Sequence, residues 1–255
     1  MPVMARLARI APGLLLATSR LYQTTSSVLI GERGTALLID PAWEPDELAE
    51  LGRDLLRRRL RVEAGLATHF HHDHLLWHPG FGDVARWASK TTVSVVKAKR
   101  QELLAELGSS WPQELASVFG RVSALTESFV PWSGPEVQLV LHDAHAPGHV
   151  AAWVPARRAL IAGDMLSDVE LPLPVDDPGL AGYAQGLEIL APFVGLAELL
   201  VPGHGTPTRS PWQRLDADRR YIDAVLARRH PDDPRMGNPG MAEAHRATVR
   251  MAHEG

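Results

Sequence analysis

The sequence predicts an α/β (α+β) sandwich in which two β-sheets pack on one another and helices cover both outer faces. Three observations predict it. Short apolar, β-rich runs recur in both halves of the chain, helical periodicities follow them, and each half carries metal-capable side chains in loops at strand ends. The 255 residues, 45% apolar and 22% charged, suit one large domain or two small ones and can bury a real core.

The elements follow in order. Arg6 and Arg9 precede IAPGLLLA, which imitates a targeting signal, but Pro12-Gly13 interrupts the run and it reads as a first strand entered through a Pro-Gly turn. Residues 13–18, 26–30 and 36–39 then form an antiparallel meander. From 45 to 61, Leu48, Leu51, Leu55, Leu56 and Leu60 recur at helical spacing, which buries one face and leaves the arginines as a solvated face. A short strand, AGLATHF, runs into a histidine cluster. Helical or loop sequence is expected to about Ser89, a strand at 91–96, and helices at 97–107 and 111–119 joined at Gly108. Strands at 137–142, 151–154, 159–162 and 196–201 follow, with helices at 181–193 and 212–229. The segment from Pro231 reads as an appendage with a short helix at 241–253.

Chemistry concentrates in few residues. Twelve histidines without a cysteine exclude thiolate zinc fingers, iron–sulfur clusters, disulfides and a cysteine nucleophile, so a metal must be held by imidazole and carboxylate. Thr68-His69-Phe70-His71-His72-Asp73-His74 ends a predicted strand with an H-x-H-x-D-H pattern. In extended chain His69 and His71 project from one side, and the turn beyond them can carry Asp73 and His74 to a second point. One loop can thus serve two adjacent metal ions. Pro147-Gly148-His149, Gly163-Asp164 and Pro202-Gly203-His204-Gly205 add three metal-capable side chains at strand ends or tight turns.

The motifs ATHFHHDH, APGHV, AGDML and VPGHG, in that order over roughly residues 12 to 206, resemble the metallo-β-lactamase-fold hydrolase superfamily. That group includes glyoxalase II and the quorum-signal lactonases. The resemblance implies a four-layer αββα sandwich of two mixed sheets over residues 1–210, with 211–255 as a C-terminal helical extension. It implies that His69, His71 and His149 bind a first metal, that Asp73, His74 and His204 bind a second, and that Asp164 bridges both. His145 stands four residues before His149 and competes for its place; the family's Pro-Gly turn favours His149. Aspartate at 164, in a chain without cysteine, points to the glyoxalase II and lactonase-like branches. Leu38-Ile39-Asp40-Pro41 is similar to the family's early turn, with Ala42 in its usual glycine region.

Other candidates are weaker. His72 alternates with His71 and should face away from it, and His78, His142, His230, His245 and His253 have no ligand-like context. Trp43 and Trp77 flank the expected site as substrate wall or as packing. The acidic, proline-rich stretch 167–179 reads as a rigid solvated loop that, at the site's edge, would disfavour polyanionic substrates.

The expected activity is hydrolysis of an ester, thioester or lactone of a small molecule. Two zinc ions, or iron or manganese in their place, would lower the pKa of a bridging water and polarise the scissile carbonyl, while Asp73 holds the nucleophile and relays a proton. Glyoxalase II itself fits less well, because the 51 residues after His204 leave little room for its helical glutathione-binding domain. A net charge of −4 argues against a phosphodiesterase or nuclease, so no nucleic acid partner is expected. No membrane partner is expected either, a cytoplasmic location is, and a homodimer is left open. A mononuclear iron dioxygenase of the persulfide type is the alternative on the same fold, disfavoured by seven complete ligands. A non-catalytic module would have lost some of them.

Overall fold

Apolar runs without polar alternation mark strands buried on both faces, and the structure pairs these runs into two sheets. The computed structural model describes residues 7–174 and 179–254. Arg6 of the signal-like segment and Asp176, Asp177 and Pro178 of the acidic stretch lie outside them. Strands β1 (Ala8–Ala11), β2 (Leu14–Thr18), β3 (Thr25–Ile30), β4 (Thr35–Ile39), β5 (Arg61–Leu66), β6 (Ala85–Ala88) and β7 (Ser123–Ala124) form a seven-stranded sheet in chain order. It is antiparallel as far as β4 and parallel beyond. Strands β8 (Gln138–Leu141), β9 (Val150–Val154), β10 (Ala159–Ile161) and β11 (Leu199–Val201) form the second sheet in the order β11-β10-β9-β8, with β10 and β11 parallel.

Side-chain parity says what each face touches. Leu14, Leu16, Leu37, Ile39 and Leu66 point inward against Ala152, Val154, Ile161 and Val201, so the central core lies between the sheets. Their neighbours Leu15, Val28, Leu38 and Val62 point outward, to α1 (Pro45–Arg57) and α2 (Lys90–Ala105). Trp153, Leu160 and Leu200 do the same on the other sheet, under α4 (Gly179–Leu196) and α5 (Pro211–Leu226). The architecture is the four-layer αββα sandwich. A short helix, α3 (Gln113–Val118), adds to the first outer layer, and α6 (Met241–Glu254) packs against α4 and α5.

Local chemistry sets the helix ends. Pro45 occupies the first turn of α1 and Glu44 and Glu47 cap each other's backbone, while Leu48, Leu51 and Leu55 are buried. Each such leucine contributes roughly 1.5–3 kcal/mol by burial, so packing rather than propensity holds this helix. It stops four residues short of 61, because Arg59 takes a left-handed φ of 57° and turns the chain into β5. The expected strand at 91–96 is instead the first half of α2. Ser89 Oγ accepts from the Thr92 N–H at 3.0 Å, and Thr92, Val96 and Leu103 are buried along the helix, so a cap and a stripe override the β-branched composition. Residues 85–88, read as helix or loop, are strand β6. Arg9 lies in β1, which pairs with β2 across the Pro12-Gly13 turn. No helix among the described residues is long and apolar enough to cross a membrane.

Two hydrogen bonds tie the sheets together at one edge: the Val150 N–H donates to Thr68 O (2.9 Å) and the Thr25 N–H to Gly203 O (2.7 Å). The parallel pairs β4/β5 and β10/β11 both release their chains at that edge.

Candidate metal centre

Four strands end in the residues that matter. Asp40 follows β4, the histidine motif follows β5, Asp164 follows β10, and His204 follows β11. Asp40 anchors the arrangement. Its carboxylate accepts from the Thr68 N–H (2.8 Å) and Thr68 Oγ1 (2.7 Å) and lies 2.9 Å from His74 Nδ1, so the turn at 72–74 cannot swing away.

The side chains gather in two groups. His69, His71, His145 and Asp164 place one ligand atom each within 4.8 Å of one another, and so do Asp73, His74 and His204. In the first group, His71 Nδ1 is 3.0 Å from both His69 Nε2 and His145 Nε2, and Asp164 Oδ2 is 3.4 Å from each of those two Nε2 atoms. In the second, Asp73 Oδ2 is 3.2 Å from His74 Nε2 and 3.3 Å from His204 Nε2. Asp164 stands between the groups, with Oδ1 3.1 Å from His74 Nε2 and Oδ2 3.3 Å from His204 Nε2. Donors about 2.0–2.1 Å from a tetrahedral centre stand about 3.3 Å apart, which is the spacing seen.

The outer nitrogens explain the inward ones. His145 Nδ1–H donates to Leu173 O (2.8 Å), His204 Nδ1–H to Tyr22 O (3.1 Å) and His69 Nδ1–H to Thr68 Oγ1 (3.1 Å), while His74 Nδ1 faces Asp40. Each of the three hydrogen bonds orients its ring and, in the neutral form, leaves the Nε2 lone pair aimed inward. Burial outweighs the opposing pull of Asp164 on three of these rings: it lowers His69 and His71 and pushes His145 down to about 4. Around the carboxylates the balance reverses. Burial alone would raise Asp73 and Asp164, but His74 and His204 hold both well below the usual range, and those histidines are raised against their own burial by Asp164 and its neighbours. The carboxylates demand positive charge at this point. Buried His74 Nε2 and Asp164 Oδ1, though close, are aligned for a hydrogen bond neither with each other nor with any other described residue. Unpartnered buried donors around ionised carboxylates fit divalent cations.

One sequence expectation is corrected here. His149 is not in the first group; His145 is. Both ring nitrogens of His149 are engaged, Nδ1 with His142 Nε2 at 3.0 Å and Nε2 as acceptor of the Asp164 N–H at 3.2 Å. His149 therefore sets the backbone from which Asp164 projects. His142, read as having no special context, is buried behind it. The other six expected ligands, His69, His71, Asp73, His74, Asp164 and His204, are brought together. His72 turns outward, its Nδ1 2.9 Å from Glu106 Oε2. Trp77 is core packing, edge-on to Phe81 and beneath Arg86, whereas Trp43 lines a cleft.

The loop after Asp164 braces the site. Ser167 Oγ donates to His204 O (2.8 Å), the Asp168 carboxylate accepts from the Thr206 N–H (2.8 Å), and Glu170 Oε1 lies 4.0 Å from His204 Nδ1, its carboxyl raised to about 7 by burial. Arg235, in the segment read as an appendage, buries its guanidinium beneath this loop. It donates to Ser167 O and Glu170 O (both 2.9 Å) and to Asp218 Oδ1 (2.6 Å). Gly203 is required by space, since a Cβ there would strike the Asp164 carboxylate.

Comparisons with known proteins agree with this fold. A beta-lactamase domain protein from Burkholderia ambifaria superposes with a TM-score of 0.69 at 23% identity, over 89% of this chain and 79% of that one. A metallo-beta-lactamase family protein from Thermus thermophilus gives 0.65 at 19% identity, over 86% and 82%. The stereoselective inverting sec-alkylsulfatase Pisa1 from a Pseudomonas species gives 0.66 at 16%, over 88% of this chain but 42% of its own. These likenesses show a shared fold. The sequence model of the Metallo-beta-lactamase superfamily matches residues 22–227, from the loop before β3 to the end of α5, and so spans every strand end described above. On that match and that fold, the chain belongs to the metallo-beta-lactamase superfamily.

Proposed function

We propose that the protein is a metal-dependent hydrolase that holds two zinc ions and cleaves an ester, thioester or lactone of a small molecule. The observation that carries this reading is Asp164, whose two carboxylate oxygens reach donors of both groups at 3.1–3.4 Å. His69, His71 and His145 would hold the first ion, Asp73, His74 and His204 the second, with Asp164 shared. Zinc, when bound, supplies Lewis acidity toward the scissile carbonyl and makes water more acidic.

The chain's own residues do the rest. His69, His71 and His145, kept neutral by burial, hold their lone pairs free at neutral pH, and Asp40, Thr68, Leu173 O and Tyr22 O hold the rings in register. Asp73 is assigned to orient the attacking water by accepting its hydrogen bond. Glu170 stands 4.0 Å from His204 Nδ1, which supports a substrate that is not a polyanion.

Elemental analysis of purified protein, with anomalous diffraction at the zinc and iron edges, tests the reading. Two zinc ions per chain and turnover of phenyl acetate are expected. A single iron per chain would overturn it.

A further inference from the structure

A cleft of about 730 Å³, within the size range of small-molecule sites, is lined in part by His72, which sits in the chain between His71 and Asp73. Tyr22, Trp43 and Trp111, with Leu21 and Leu107, are among its apolar lining. The rings form a continuous wall: Tyr22 and Trp43 have centroids 5.3 Å apart, and Trp43 meets the edge of His72 at 5.1 Å. The wall meets the backbone that carries the donors at two points. His72 lies in the chain between His71 and Asp73, and the Tyr22 carbonyl accepts from His204 Nδ1. Tyr22 is 64% exposed, so a large aromatic face is open to solvent beside a buried polar centre.

The charge of the cleft is one-sided. Glu44 and Glu106 line it, Glu106 with its Oε2 2.9 Å from His72 Nδ1, and no lysine or arginine does. Arg20, next to Leu21 in the chain, has its guanidinium held by Asp46 at 2.6 and 3.0 Å, with Glu47 and Glu44 around it.

We infer that this cleft receives the apolar acyl or aryl part of an uncharged ester or lactone, and that it selects such substrates over carboxylate-bearing ones of the same size. The inference rests on the hydrolase reading above and names its substrate class. In the reaction, water oxygen bonds to the acyl carbon, the acyl carbon–oxygen bond breaks, and the alcohol leaves with the proton that water gives up.

The test uses zinc-loaded protein and two probes that resist hydrolysis, hexanoanilide and 4-(hexanoylamino)benzoate, titrated by calorimetry. Hexanoanilide should bind at least about tenfold more tightly than its carboxylate analogue, and Glu106→Gln should narrow that gap. Tyr22→Ala and Trp111→Ala should each weaken hexanoanilide by about tenfold, whereas Trp212→Ala, on an exposed face of α5, should not. Tyr22 is exposed enough that its loss leaves the fold intact, should a Trp43→Ala protein fail to fold. Equal binding of the two probes, or binding unmoved by Tyr22→Ala and Trp111→Ala, overturns the inference. Cleavage of phenyl hexanoate and phenyl acetate with equal kcat/KM, unaffected by the same variants, removes the cleft and keeps the hydrolase. Selective hexanoanilide binding without cleavage of either ester keeps the ligand class and removes the hydrolase.

Discussion

His145 and His149 make opposite predictions, and their exchange of roles can be measured. His149 is fully buried and satisfies two partners, so His149→Ala strands the Asp164 N–H and His142 Nε2 in the interior. At about 1–3 kcal/mol for each unsatisfied group, the metal-free protein should lose about 2–6 kcal/mol, before any cavity cost. His145→Ala leaves Leu173 O without its partner and removes the 3.0 Å contact with His71 Nδ1, which keeps its neighbour His69, so the loss should be about 1–3 kcal/mol, below that of His149→Ala. Metal content should move the other way. His145 is one of three imidazoles in the first group, and since even supporting residues change metal affinity by about 10–100-fold, its removal should leave one zinc after dialysis. His149→Ala should keep two below its melting temperature. Urea unfolding of the metal-free proteins gives the first quantity and elemental analysis the second. If His149→Ala retained its stability and lost a zinc while His145→Ala kept both, the assignment from geometry would be wrong.

Four further outcomes follow from the same contacts. Asp164→Asn keeps the shape but removes the shared charge, and should reduce bound zinc below two per chain with loss of esterase turnover by about 100-fold or more. Asp40→Asn should weaken zinc binding by about 10–100-fold in competition with a chelator, because Asp40 touches His74 and Thr68 but neither group's inward atoms. Arg235→Ala leaves Asp218 buried without its partner and should cost about 3–5 kcal/mol in thermal or urea unfolding, whereas Arg235→Met with Asp218→Leu should recover most of it. Metal-free protein should weaken in acid: His142 and His145, pushed down to about 3 and about 4 by burial, stay neutral in the fold at pH 5 while the unfolded chain protonates both. Folded pKa values below the unfolded one mean stability that is present above about pH 6.5 and lost as the pH falls toward 4. The difference between pH 7 and pH 5 is about 2 kcal/mol for each ring, and an unchanged urea midpoint would contradict it.

Six of the seven expected residues are brought together, because H-x-H-x-D-H, Asp164 and His204 stand at strand ends that the resemblance to the superfamily tied into one set. The seventh is not, for a physical reason. His142, His145 and His149 share one turn, and which of them faces the donors is decided by Leu173 O, 28 residues away, and by the Asp164 N–H. No spacing within the turn carries that information. The strand expected at 91–96 failed similarly, since β-branched composition is a weaker signal than a serine cap with a buried stripe behind it. Arg235 was hidden because a lone arginine in a Pro- and Asp-rich segment looks like solvent-exposed loop until the loop it supports is known. The sandwich itself was readable, because strands buried on both faces carry apolar residues at successive positions, as β4 does over Ala36, Leu37, Leu38 and Ile39.

The donors come from both halves of the sandwich. Asp40 and the 69–74 motif hang from the seven-stranded sheet, and His145, Asp164 and His204 from the four-stranded one. Between them, at that edge, run the Val150–Thr68 and Thr25–Gly203 bonds. A cation held by either group would therefore act as a rivet between two plates, and seating one sheet on the other would be the same equilibrium as filling the site. A chelator should open the sandwich at that edge first, with amide exchange quickening at Val150 and Thr25 before it does in the central core.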